Sequence, residues 1–155
     1  MKIVRYISIC LLFTFIGSLL PTKAQDNPYK IDHSLYLLYE EATKHRNNAT
    51  GLEIADTIYT KAIRINDKKA QCLALTIPVI YYFNNGKTEL LEKAISRLQE
   101  ISRKNNYLQY YYFGSIYKVN YLMNTGNTLR ALQEAELTKA QAFAADYPYG
   151  IPTSL

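Results

Sequence analysis

Few side chains in this sequence have the type and spacing that covalent chemistry requires. His33 and His45 stand 12 positions apart, too far round a helix to act as paired ligands, and neither forms a ligand-spaced motif with Cys72. Each reads as an isolated surface or capping histidine. Glu40 and Glu41 are adjacent, so on a helix they point in different directions, which suits a solvated face better than an acid–base pair. Gly51, Gly86, Gly114, Gly126 and Gly150 are scattered rather than gathered into a phosphate-cradling loop, and no Gly-x-Ser-x-Gly nucleophile elbow occurs. No catalytic, cofactor-binding or metal-binding residue is assigned, and a non-enzymatic protein without cofactor is expected.

The side chains that remain informative bind rather than react. The chain carries 15 tyrosines and no tryptophan, with aromatic runs at Tyr81-Tyr82-Phe83 and Tyr110-Tyr111-Tyr112-Phe113. Four consecutive aromatics cover more than one face of a helix, so some must look away from their own hairpin. Tyrosine offers a large contact area with a polar tip at low entropy cost, which would suit a binding groove. Packing between stacked helical units explains the same surplus, and both readings stand.

The N-terminus must be set aside before any argument about fold. Lys2 and Arg5 precede an apolar run from Ile7 to Leu20, and Thr22-Lys23-Ala24 forms a small-x-small cleavage site ahead of Gln25. Residues 1–24 are expected to be a removable signal peptide, since the run falls short of the roughly 20 residues that span a bilayer. Export to a bacterial periplasm is the expectation that follows, with no stable membrane span after cleavage. Taking Lys2, Arg5 and Lys23 from the 18 basic residues leaves 15 against 13 acidic, too balanced for a nucleic-acid surface. Cys72 becomes the one remaining cysteine. No intramolecular disulfide can form, and its apolar setting, Gln71-Cys72-Leu73-Ala74-Leu75, predicts burial.

Behind a linker over 25–33, turn residues divide the chain into helical lengths. Asp32 or Ser34 can cap a helix to Arg46; Asn47-Asn48-Ala49-Thr50-Gly51 breaks it; a second helix runs from Leu52 to Ile65. The third, Lys68 to Phe83, holds Pro78 in its middle, which should bend or split it. Asn84-Asn85-Gly86 ends that helix and Thr88 is expected to cap a fourth, to Lys104. A fifth spans Tyr107 to Asn124 and a sixth Thr128 to Ala145. Short connections require antiparallel neighbours, so residues 34–146 are predicted to form an all-α domain of three antiparallel helical hairpins stacked as a solenoid, restarting every 35 to 40 residues or so, with a tail over 147–155.

Ala55-x3-Tyr59-x2-Ala62 resembles the small–aromatic–small signature of the second helix in a tetratricopeptide repeat, and Ala94, Leu98 and Ile101 repeat that spacing. Gly126 with Ala131-Leu132, and Gly86 with Tyr82, are similar to the repeat's turn glycine and its neighbours. The family's first-helix tryptophan and Leu-Gly pair are absent, the second pair carries about three extra residues after its glycine, and Pro78 is foreign to the pattern. The resemblance implies a concave groove lined by first helices. Aligned on the turn glycines, that role falls on Thr76, Ile80, Phe83 and Asn84, then on Phe113, Ile116, Asn120 and Asn124, with Glu40, Lys44 and Asn47 from the first pair. Interleaved amides and aromatics there suit an extended protein or peptide segment.

The stretch from Asn27 onward also resembles the exported N-terminal repeat region of bacterial sensor histidine kinases and related regulators. Asn27-Pro28-Tyr29-Lys30-Ile31-Asp32, Asp67 to Pro78, and Tyr147-Pro148-Tyr149-Gly150-Ile151 carry that likeness. It implies a sensory or interaction module for signal transduction, which is expected to be a truncated version here. The alternative is a structural or vestigial fragment of such a kinase with no activity of its own. Leu137, Phe143 and Tyr147 are expected to stay partly uncovered on the last helix, which predicts either self-association through the terminal repeat or marginal stability of the isolated chain.

Overall fold

The computed structural model describes residues 27–147, so the expected signal peptide over 1–24 and the tail beyond Tyr147 lie outside the described residues. Six helices follow one another: α1 (His33–Lys44), α2 (Ala49–Arg64), α3 (Lys68–Asn84), α4 (Thr88–Lys104), α5 (Leu108–Asn124) and α6 (Thr128–Ala144). No strand occurs among the described residues. Consecutive helices pack against each other, giving the expected all-α solenoid of three stacked antiparallel hairpins.

The period is more regular than the glycines suggested. Each helix ends 20 residues after the one before, at Lys44, Arg64, Asn84, Lys104, Asn124 and Ala144, so a hairpin spans 40. One turn produces this spacing. After α3, Gly86 N–H donates to the Phe83 carbonyl (3.2 Å) and Lys87 N–H to the Tyr82 carbonyl (2.9 Å), the paired bonds of a Schellman motif. The same two bonds recur after α2, α4, α5 and α6, pivoting on Asn66, Asn106, Gly126 and Asp146. All five pivots have positive φ, between 50° and 77°. Gly86 and Gly126 adopt it without a Cβ penalty, and short polar side chains tolerate it at the other three. The second hairpin therefore contains no insertion: five residues past the pivot, Leu91 stands where Ala131 stands in the third, and both are buried.

Three other sequence expectations are corrected. The α1–α2 break is shorter than Asn47 to Gly51, because Asn48 caps α2 by accepting from Gly51 N–H at 3.3 Å, and Gly51 lies within the first turn. A Cβ on Gly51 would meet the His45 carbonyl, whose carbon would be 2.8 Å away. Backbone cannot yield as a side-chain tip can, so Gly51→Ala should cost about 2 kcal/mol, measured as a lowered urea midpoint. Pro78 does not split α3, which continues from Lys68 to Asn84 because helices pack on both sides of it. Thr88 is the first residue of α4 rather than its cap, and Lys87 in the cap position makes no side-chain cap bond. Asp32 does cap α1, its carboxylate accepting from Ser34 and Leu35 N–H at 2.9 and 3.2 Å.

Packing sorts the helices into two rows. The first helices of the hairpins touch one another, α1 against α3 and α3 against α5, whereas α2, α4 and α6 do not meet. A stack closer on one side than the other curves, with α1, α3 and α5 on its inner side. Three apolar clusters run between the rows, the smallest being Val119, Ala131 and Ala135 between α5 and α6. Ala42, Ala55, Ile58, Ala62, Ala70 and Ile77 join the first hairpin to α3. Cys72, Leu73, Val79, Leu91, Leu98 and Tyr110 join α3, α4 and α5. Small residues at the crossings let the helices approach closely. Cys72 is fully buried, as expected; burial pushes its thiol up, and Ser102 Oγ donates to its sulfur at 3.7 Å. The expected linker is not detached: Tyr29 and Ile31 pack against the core, and the Tyr29 ring lies edge-on to Tyr39 at 5.3 Å.

Candidate inner-face binding site

The 40-residue period places the groove residues in rows. Lys44, Asn84 and Asn124 each end a first helix and are exposed. Glu40, Ile80 and Asn120 form the row one turn earlier, partly or fully exposed. Asn84 Nδ2 donates to Asn47 Oδ1 at 2.7 Å, linking the end of α3 to the α1–α2 turn. Phe83 and Phe113 are half-buried and meet on Tyr117, whose ring centroid is 5.1 Å from the first and 4.8 Å from the second. Ile116 is half-buried on α5.

Thr76 departs from its expected role. It is 3% exposed, its hydroxyl donates to the Leu73 carbonyl at 2.7 Å, and Tyr39 OH sits 3.3 Å away. A hydroxyl so engaged offers little to a ligand; it ties α1 to α3 instead. Tyr39, Tyr29, Tyr117 and Arg46 belong to this inner side and were not among the expected groove residues. Burial pushes the Tyr110, Tyr29 and Tyr117 hydroxyls above the ordinary tyrosine value. Tyr39 and the Glu40 carboxylate add to this at Tyr29, while the Arg46 guanidinium opposes it at Tyr117. These phenols are thus neutral donors at physiological pH. Tyr110 stays in the core, whereas half-buried Tyr29, Tyr39 and Tyr117 form with the amides a surface that can hydrogen-bond in both directions and stack.

Clefts open on the opposite side, where the second helices part. One of about 260 Å³ lies between α2 and α4, lined by Asp56, Tyr59, Pro78, Tyr82 and Arg97, with the Arg97 guanidinium 4.3 Å from the Tyr59 ring centroid. Its counterpart one hairpin on, between α4 and α6, is two adjoining hollows of about 320 and 190 Å³ sharing Glu92, Lys118 and Leu122. Pro78 in the first corresponds to Lys118 in the second, a solvent-facing position of a first helix. That placement lets the proline ring occupy open space. None of the eleven sequence-predicted groove residues lines these clefts.

Among the described residues no three His, Cys, Asp or Glu side chains converge to hold a metal ion, and no helix is long and apolar enough to cross a membrane. His45 Nε2 lies 3.1 Å from Glu41, which also takes Lys44 at 2.8 Å; that hydrogen bond, then its charge, holds the Glu41 carboxyl below the usual range. His33 is exposed beside the Tyr36 ring at 6.2 Å.

No protein-family model, curated protein or solved structure matches this chain. The functional reading therefore rests on the geometry of its surfaces.

Proposed function

We propose that the protein is a non-catalytic binding module that holds an extended protein or peptide segment along the inner row of first helices. In this reading it belongs with tetratricopeptide-like arrays and forms the sensory or interaction part of an exported signalling system. The supporting observation is the in-register repetition of polar and half-buried apolar side chains, Glu40, Ile80 and Asn120 behind Lys44, Asn84 and Asn124, along the closer-packed row. Repeated amides can hold a ligand backbone at several points, while Phe83, Phe113 and Tyr117 supply contact area between them. The 40-residue hairpin exceeds the roughly 34 of the tetratricopeptide repeat, the difference lying in 17-residue helices rather than in longer turns.

Selection of a displayed library of unstructured peptides tests this. Peptides should be recovered, and Ile80→Asp combined with Asn120→Ala should weaken them at least about tenfold, the effect of losing one apolar and one amide contact. Arg97→Ala, in the cleft between second helices, should leave binding unchanged. Recovery of no peptide, or sensitivity to Arg97→Ala alone, would overturn the reading.

A further inference from the structure

The last helix presents a surface that the peptide-binding reading does not use. The buried side of α6 is Ala131, Ala135, Thr138 and Ala142, facing α5. On another side, Leu132, Glu136, Lys139 and Phe143 succeed each other at steps of four, three and four, which confines them to an arc of about 60°. All four are exposed, Leu132 at 46% and Phe143 at 64%.

The same side of α4 is occupied. One hairpin earlier, Gln99 and Arg103 take the places of Lys139 and Phe143, and both engage α5: Gln99 Nε2 donates to Ser115 Oγ at 2.9 Å and Arg103 to Tyr111 OH at 2.8 Å. On α6 no described element covers the stripe. Neither Glu136 nor Lys139 has an ion-pair partner among the described residues. Tyr147, expected to stay partly uncovered, is half-buried, its ring stacked on Tyr112 at 5.3 Å.

Apolar, acidic, basic, apolar at steps of four, three and four is a self-complementary order. Turn a second α6 antiparallel about a two-fold axis passing between Leu137 and Thr138. Leu132 then faces Phe143 of the second copy, and Glu136 faces its Lys139, in each direction. A two-fold interface requires this reciprocity, in which the same patch serves both subunits. We propose that this stripe of α6 is a homodimerisation surface, occupied by a second copy of the same chain in antiparallel register. The solenoid is thereby extended end to end, leaving the row of α1, α3 and α5 free in both copies. A single-helix interface lies at or below the roughly 1,200 Å² at which stable complexes begin, so the dimer is weak and concentration-dependent.

Charge exchange tests the register. Sedimentation equilibrium of the full chain, from about 1 μM to about 500 μM, should show reversible monomer–dimer association. Glu136→Lys should raise the dissociation constant at least about tenfold, because two lysines then oppose each other at two places; Lys139→Glu should do the same with carboxylates. The double variant Glu136→Lys/Lys139→Glu restores opposite charges in this register and should return the constant to within about threefold of the original. Both positions are exposed, and unchanged helix content by circular dichroism accompanies each variant. A monomer throughout, open-ended oligomers, single variants that associate normally, or a double variant as weak as either single would each overturn the proposal.

Discussion

Leu98→Ala is expected to lower the stability of the fold by about 3 to 4 kcal/mol, the range for deleting a fully buried leucine whose site cannot collapse. Leu98 is 0% exposed in the cluster that joins α3, α4 and α5, with Cys72, Leu73, Val79 and Tyr110 among its members. Leu129→Ala removes the same atoms from a position 70% exposed and should change stability by less than about 0.5 kcal/mol. The contrast isolates burial from residue type. Because each hairpin of a stacked array is held mainly by its neighbours, Leu98→Ala should also uncouple α5 and α6 from the first half. Urea denaturation gives the free energies, and hydrogen exchange should show α5 and α6 opening before α2 and α3 in the variant alone. Equal costs at Leu98 and Leu129 would mean that the core does not lie where these helices cross.

A second large effect is expected in alkali. Burial is the leading cause that raises Tyr110, Tyr29, Tyr112 and Tyr117 above the ordinary tyrosine value of 10.0. A phenol whose folded value is raised is disfavoured as phenolate only in the folded state. Its contribution is intact below pH 10 and declines as pH climbs from the unfolded value towards the folded one. The slope is about 1.4 kcal/mol per pH unit for each group that is ionised only when unfolded. The urea midpoint should hold to about pH 9.5 and then fall steeply, in step with rising tyrosinate absorbance. Tyr110→Phe should flatten this fall, since Tyr110 carries the largest displacement. A midpoint constant to about pH 11, or a fall unaffected by Tyr110→Phe, would contradict the packing assigned to these rings.

Much of the fold was legible because helical periodicity is dense in this chain. Stripes such as Leu91, Ala94, Ile95 and Leu98 are buried as their spacing implies. The 20-residue metre was harder to read, since its turn pivot is glycine only at Gly86 and Gly126 and is Asn66, Asn106 or Asp146 elsewhere. Left-handed backbone is available to all of these, but glycine alone announces it. Gly51 misled in the opposite sense: it resembles a helix breaker, yet it sits inside α2 because the α1–α2 turn passes too close for a Cβ. Pro78 likewise marks a boundary in sequence and an open cleft in space. On the inner face, Lys44, Asn84 and Asn124 share one position because each ends a first helix. Thr76 did not remain a surface residue, since its burial depends on Tyr39 of a neighbouring hairpin, a contact between residues 37 positions apart.

The inner row of first helices is closer-spaced than the outer row of second helices, and the proposed binding face depends on that difference. Distances between paired spin labels measure it directly, with Cys10 and Cys72 replaced by serine and alanine. Asn84 and Asn124 occupy equivalent exposed positions on α3 and α5, as Thr60 and Glu100 do on α2 and α4. Labels on the first pair should lie distinctly closer than labels on the second. Equal separations, or a longer one between Asn84 and Asn124, would contradict a stack that curves around α1, α3 and α5.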